Sequence, residues 1–133
     1  MNKQEVKKYL EKYGYIDVCI EVARFSINKD LELAKHYRGE PIKIKEDIIQ
    51  NKKKIQKLER EKNQIRKSIE VLEPIQKEVI KLRYFENLNF YEIAEKMMYS
   101  YKYVSNLHSN ALKRLQKSVW SVFFKKMNSK LYM

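Results

Sequence analysis

Glycine and proline are scarce in this chain, with two of each in 133 residues. So few turn-formers exclude a glycine-rich phosphate loop and argue against a sheet-rich fold, and they suit long uninterrupted helices. Cysteine is scarcer still. The single Cys19 cannot form an internal disulfide. It sits in an apolar run and reads as a small buried residue. No apolar run is long enough for a signal peptide or a membrane span, so a reducing cytoplasm and no membrane partner are expected. Acidic residues are missing from one end: Lys96–Met133 contains no Asp or Glu but eight Lys or Arg, which is eight of the net +12. Catalytic groupings are lacking too. Glu73, Glu78, Glu86, Glu92 and Glu95 are scattered, with no His or Cys at metal-ligand spacing and no nucleophile beside a base. Neither an enzyme, a metal site nor a cofactor is implied.

What is present is helical patterning, densest from Glu73 to Leu115. Pro74 suits the first turn of a helix, where its missing N–H costs nothing. Ile75, Val79, Ile80, Leu82 and Phe85 follow at helical spacing. Glu86–Asn89 is a polar break, with Asn89 as N-cap. Phe90, Ile93, Ala94 and Met97 then fall at i, i+3, i+4 and i+7, one side of a two-turn helix. Tyr99-Ser100 makes a turn with Ser100 as a second N-cap. A third row runs Val104, Leu107, Ala111, Leu115. Three short helices with tight turns, the last one basic, fit a helix-turn-helix. The plainer reading of the same pattern is a three-helix bundle with a basic, solvated surface. His108 reads as a surface residue rather than a ligand.

Upstream, an apolar seam alternates steps of four and three: Ile44, Ile48, Asn51, Ile55, Leu58, Lys62, Ile65, Ile69, Leu72. This is a heptad pattern interrupted by two polar residues. A continuous helix from Lys43 to Leu72 would reach about 45 Å. Glu59 with Asn63, and Glu70 with Arg66, are candidate pairs one turn apart on its surface. Before it, Tyr15–Tyr37 reads as a helix with Ile16, Ile20, Ala23, Ile27, Leu31 and Ala34 along one side. The link Arg38-Gly39-Glu40 suits an antiparallel hairpin. The long helix either folds back in this way or pairs with its copy in a second chain, and a hairpin could itself dimerise. Asn2–Gly14 reads as a separate short helix with Val6, Tyr9, Leu10 and Tyr13 on one face, and Lys3, Lys7, Lys8 and Lys12 as a solvated face in preference to a DNA contact. The apolar stretch Val119–Phe124 is expected to pack under the helix-turn-helix or to meet a partner, and Met127–Met133 to fray.

The motif LRYFENLNFYEIAEKM, then YS, then YKYVSNLHSNALKRL resembles region 4 of the sigma-70 family. It resembles more closely the phage late-gene activators of the RinA and ArpU type that use this module. Its sharpest part is S-x-x-x-V-x-x-x-x-x-x-A-L-x-x-L, from Ser100 to Leu115. The resemblance implies a major-groove helix whose base-reading residues are Tyr101, Lys102, Ser105, Asn106 and Ser109. Asn pairs with adenine edges, Lys with guanine, and Ser with either. Tyr91, Lys96, Ser100, Tyr103, Lys113, Arg114 and Lys117 would then meet the DNA backbone. Family members usually carry more Arg among the reading residues, and this chain has Tyr101 and Tyr103, so no target sequence transfers.

The resulting expectation is an all-α protein. Residues 1–72 would form an N-terminal helical hairpin and coiled-coil region for oligomerisation, and 73–133 a helix-turn-helix DNA-binding domain with an apolar extension. Its function would be sequence-specific regulation of transcription, activating phage late genes. Its partners would be double-stranded DNA, RNA polymerase and a second copy through the long helix. The alternatives are a small terminase subunit marking DNA for packaging and, more weakly, a coiled-coil protein whose basic face binds an acidic protein.

Overall fold

A computed structural model describes residues 2–37 and 41–118. The fold is all-α, without a strand among the described residues. Its helices are α1 (Lys3–Ala34), α2 (Ile42–Ser68), α3 (Pro74–Ile80), α4 (Phe90–Met97) and α5 (Tyr101–Lys117). A single 3-10 turn, Ile69–Val71, follows α2, and a π-helical turn, Lys81–Phe85, extends α3. The stretch Val119–Phe124 and the terminal Met127–Met133, read from sequence as packing and fraying segments, lie outside the described residues.

The chain forms two compact units, Tyr15–Gln64 and a discontinuous one made of Met1–Gly14 with Ile65–Met133. The first of these is an antiparallel hairpin. Asp17 pairs with Lys62, and Arg24 with Glu59 at 3.4 Å, so positions ascending α1 meet positions descending α2. Between the two helices α1 buries Ile16, Ile20, Ala23 and Ile27. From α2 come buried Ile48 and half-buried Asn51, Ile55 and Leu58. The heptad seam of the long helix is therefore used within the chain. Leu31 falls outside the row and is 44% exposed. Glu59 engages Arg24 across the hairpin rather than Asn63 on its own helix. A second apolar row, Tyr15, Val18, Val22 and Phe25, lies on the other side of α1 at 60–72% exposure. Cys19 flanks this row and is exposed, not buried as its apolar neighbours suggested. An apolar run along a helix must place some of its members on the outer side, since successive residues turn by 100°.

In the discontinuous unit the first turns of α1 bury Val6, Tyr9, Leu10 and Tyr13. No break follows them, and α1 continues through Gly14, where a separate helix was expected to end. A mid-helix glycine costs about 1 kcal/mol. Burial of the large side chains at Tyr13 and Ile16 on either side offsets that cost. From the other end of the unit come Ile65, Ile69, Leu72, Val79, Ile80, Leu82 and Tyr84, all buried. Tyr13 is fixed twice: its ring stacks on Phe85 with centroids 3.9 Å apart, and its hydroxyl accepts from Arg66 at 2.8 Å. The helix α2 ends at Ser68, short of Leu72, as Ser68 turns its hydroxyl back to the Ile65 carbonyl. Glu70 pairs with Lys77 of α3 at 2.7 Å rather than with Arg66, and that ammonium holds its carboxyl below the ordinary carboxylate range.

Candidate nucleic-acid interface

The three C-terminal helices are delimited by side chains that the sequence places at their ends. Pro74 opens α3, and Gln76 turns back to accept from the Glu73 N–H at 3.4 Å. Asn89 caps α4 reciprocally: its Oδ1 accepts from Glu92 N at 2.8 Å, and Glu92 Oε1 accepts from Asn89 N at 3.1 Å. Such a capping box satisfies two N–H groups that the helix itself leaves without acceptors. Ser100 caps α5, its Oγ accepting from Tyr103 N at 3.1 Å. Between α3 and α4, Leu88 N–H reaches back to the Leu82 carbonyl, and Arg83 donates to the Leu88 carbonyl at 3.1 Å. The turn between α4 and α5 is made by Met98, whose φ is 59°, a left-handed conformation usually given to glycine.

Val79, Leu82, Ile93, Ala94, Val104 and Leu107 form one core, closed at its edge by Ile75, Leu88, Phe90 and Met97. Ala94 is small where α4 and α5 pack together. Along α5 the buried row is Val104, Leu107, His108, Ala111, Leu112 and Leu115. His108 is thus an interior residue at 6% exposure, not a surface one. Its Nε2 lies 2.7 Å from the Tyr84 hydroxyl. Burial pushes the imidazole down to about 4, and the charges of Lys7, Arg83 and Lys3 act the same way. Burial likewise pushes the Tyr84 phenol up to about 12. Both groups are neutral near pH 7, and either tautomer of the ring makes one hydrogen bond with the phenol. The signal for this was in the spacing: His108 stands at i+4 from Val104 and i−3 from Ala111, inside the apolar row.

The opposite side of α5 is exposed and polar. Lys102, Asn106, Asn110, Lys113 and Lys117 recur at steps of four, four, three and four, which keeps them on one face. Among the described residues none of the five is hydrogen-bonded or paired through its side chain. Asn110 was not picked out from the sequence, although it continues the row begun by Lys102 and Asn106. Ser105 and Ser109 are half-buried at its margin, and Ser109 Oγ accepts from Lys3 Nζ of α1 at 3.0 Å. Tyr101 is turned toward α4, tilted on Tyr91 at 4.5 Å and edge-on to Phe90 at 5.9 Å. Tyr103 meets Tyr99 edge-on at 4.9 Å. The structure therefore brings Lys102 and Asn106 together on the open face, leaves Ser105 and Ser109 at its edge, and holds Tyr101 and Tyr103 in aromatic pairs. Of the backbone candidates, Lys96 faces Glu86 at 3.6 Å and Arg114 faces Glu73 at 3.5 Å, both in exposed pairs, while Lys113 and Lys117 stand open. Ser100 spends its oxygen on the cap, and Tyr91 is 72% exposed.

A capped two-turn helix, a left-handed turn and a longer helix with one buried and one basic face make a helix-turn-helix. Residues 68–117 match the family model for sigma-70, region 4. This segment carries a sigma-70 region 4-like helix-turn-helix. No curated protein and no solved structure matches the chain. The region 4 module begins at Ser68, in the last turn of α2, and ends with α5, so the 3-10 turn and Leu72 belong to it. The first turns of α1 pack in the same unit but lie outside the match. Sigma-70 region 4 is a DNA-binding domain. No helix among the described residues is long and apolar enough to cross a membrane, and no cluster of three metal-ligating side chains occurs among them.

Proposed function

We propose that this protein is a sequence-specific regulator of transcription, an activator of phage late genes that works with the host RNA polymerase in the bacterial cytoplasm. The observation that carries the reading is the open row Lys102, Asn106, Asn110, Lys113 and Lys117 on a region 4 module. Lys102 suits a guanine edge and the amides of Asn106 and Asn110 suit adenine edges, while Lys113 and Lys117 suit phosphates. Tyr101, Ser105 and Ser109 contact the duplex from the margins of the row. Tyr91, Lys96, Ser100, Tyr103 and Arg114 serve its backbone. RNA polymerase enters the reading as the partner of sigma-type modules.

The reading includes a homodimer. The seam of α2 is filled within the chain, so the contact moves to α1. Tyr15, Val18, Val22 and Phe25 are spaced three, four and three apart, the a/d rhythm of a two-stranded helical seam. A second copy presents the identical row, and two copies suit paired half-sites on DNA. In this reading Tyr15–Phe25 carries the oligomerising role expected of residues 1–72.

The test is selection of bound fragments from the source genome by the purified protein, at about 150 mM salt to suppress sequence-independent binding. Enrichment upstream of a late structural or lysis operon supports the reading. Enrichment beside the packaging recognition region replaces it with a small terminase subunit. No enrichment overturns sequence-specific binding altogether.

A further inference from the structure

The four lysines of the first helical segment are not equivalent. Lys8 and Lys12 are exposed, while Lys3 and Lys7, one turn apart, are half-buried. Lys3 Nζ donates to Ser109 Oγ at 3.0 Å, across a sequence separation of 106 residues. Lys7 lies close enough to His108 for its charge to act on the imidazole. This turn of α1 is anchored by Val6 and Leu10, both at 0% exposure, and opened by Asn2, whose Oδ1 accepts from Glu5 N at 2.9 Å. Neither lysine is paired with a carboxylate among the described residues. Glu5 is exposed, and Glu11, whose charge reaches Tyr84, makes no ion pair with either. Lys3 thus meets Ser109 at the margin of the open row of α5, with Lys7 one turn along the same helix and neither in an ion pair among the described residues.

We infer that the first turn of α1 is part of the DNA interface, with Lys3 and Lys7 holding the phosphodiester backbone at the edge of the groove that α5 enters. The inference rests on the proposed DNA reading and extends it to a segment outside the region 4 module. An unpaired ammonium beside a reading helix supplies sequence-independent affinity and releases a counterion for each phosphate that it neutralises. Lys3 also keeps Ser109 at the margin, so the serine acts with the backbone contacts and not with the base-reading row.

The test is the dependence of affinity on salt, using the full chain on its selected site and on a random duplex. Lys3→Gln and Lys7→Gln are each expected to reduce the affinity lost between 50 and 200 mM salt by about three-fold, one phosphate contact apiece. The weakening at low salt is equal on both duplexes. Lys8→Gln and Lys12→Gln leave the salt dependence unchanged. Lys3→Arg keeps the charge and the wild-type dependence. Unchanged salt dependence in Lys3→Gln and Lys7→Gln, with wild-type protein binding its site, overturns the inference and leaves the DNA reading standing. A dependence lost equally in Lys3→Arg assigns the effect to packing and also overturns it. Wild-type protein that binds no duplex ends both.

Discussion

Tyr84 and His108 face each other across the interior of the helix-turn-helix, with 2.7 Å between the phenol oxygen and Nε2. Their bond joins the π-helical turn after α3 to the middle of α5, so it fixes α5 against the helices beneath it. His108 sits at about 4 in the folded protein against an ordinary value of 6.5. Above pH 6.5 the ring is neutral in both states and contributes no pH dependence. As pH falls from 6.5 toward 4 the unfolded chain takes up a proton that the folded chain refuses, so stability declines. The loss is on the order of 3 kcal/mol by pH 4. Urea unfolding at pH 7 and pH 4.5 measures it, and His108→Gln is expected to flatten the difference.

Lys102→Ala and Asn106→Ala are expected to relax sequence choice, each by about 1–3 kcal/mol between the selected site and its single-base variants. Lys113→Ala and Lys117→Ala should instead weaken all duplexes alike and flatten the salt dependence. Competition binding separates the two classes. Equal losses on specific and random DNA in all four variants would contradict the division of the row into readers and phosphate contacts.

Met98 is a non-glycine residue with a positive φ in the turn, and its side chain is 89% exposed. Little packing is lost by removing it, and glycine adopts this conformation without steric cost. Met98→Gly is expected to change stability by less than about 1 kcal/mol, with a gain the favoured direction, whereas Met98→Val should destabilise. Thermal melts of the two variants give opposite signs if the turn is formed as described.

Leu10 is fully buried although it belongs to a helix far upstream of the region 4 module. Leu10→Ala should cost about 2–5 kcal/mol. The loss should appear as reduced amide protection in α5 as well as in α1, a result that an independently folded module would not show.

Val22→Lys and Phe25→Lys place charge on the uncovered row of α1. Sedimentation equilibrium at micromolar concentration should show a dimer for the wild type and monomers for both variants, with helix content unchanged. A monomeric wild type removes the homodimer from the proposal.

The helical elements were legible because each carries local signals. Asn89 and Ser100 cap where an N-cap was expected, Pro74 opens its helix, and the apolar rows Phe90–Met97 and Val104–Leu115 face inward. Periodicity places residues on faces but does not say what covers each face. That is why Cys19 was expected inside and Leu31 on the hairpin row. Gly14 was read as a boundary because a glycine's cost is visible locally, while the burial that offsets it comes from the tertiary fold. The Lys3–Ser109 bond joins distant parts of the chain, and no spacing rule reaches across 106 residues. His108 is the instructive case: its position in the apolar row was readable, but its polar side chain argued for the surface, and the bond to Tyr84 makes the interior tolerable.

The most direct test of a reading helix on a region 4 module is the ratio of affinities for the selected duplex and a scrambled duplex of the same composition, measured at about 150 mM salt. The account predicts a ratio of about 1,000 or more for the wild type, falling at least ten-fold in Asn106→Ala. A ratio near one, with affinity set by salt alone, would contradict it and leave a basic helical protein that binds DNA without reading it.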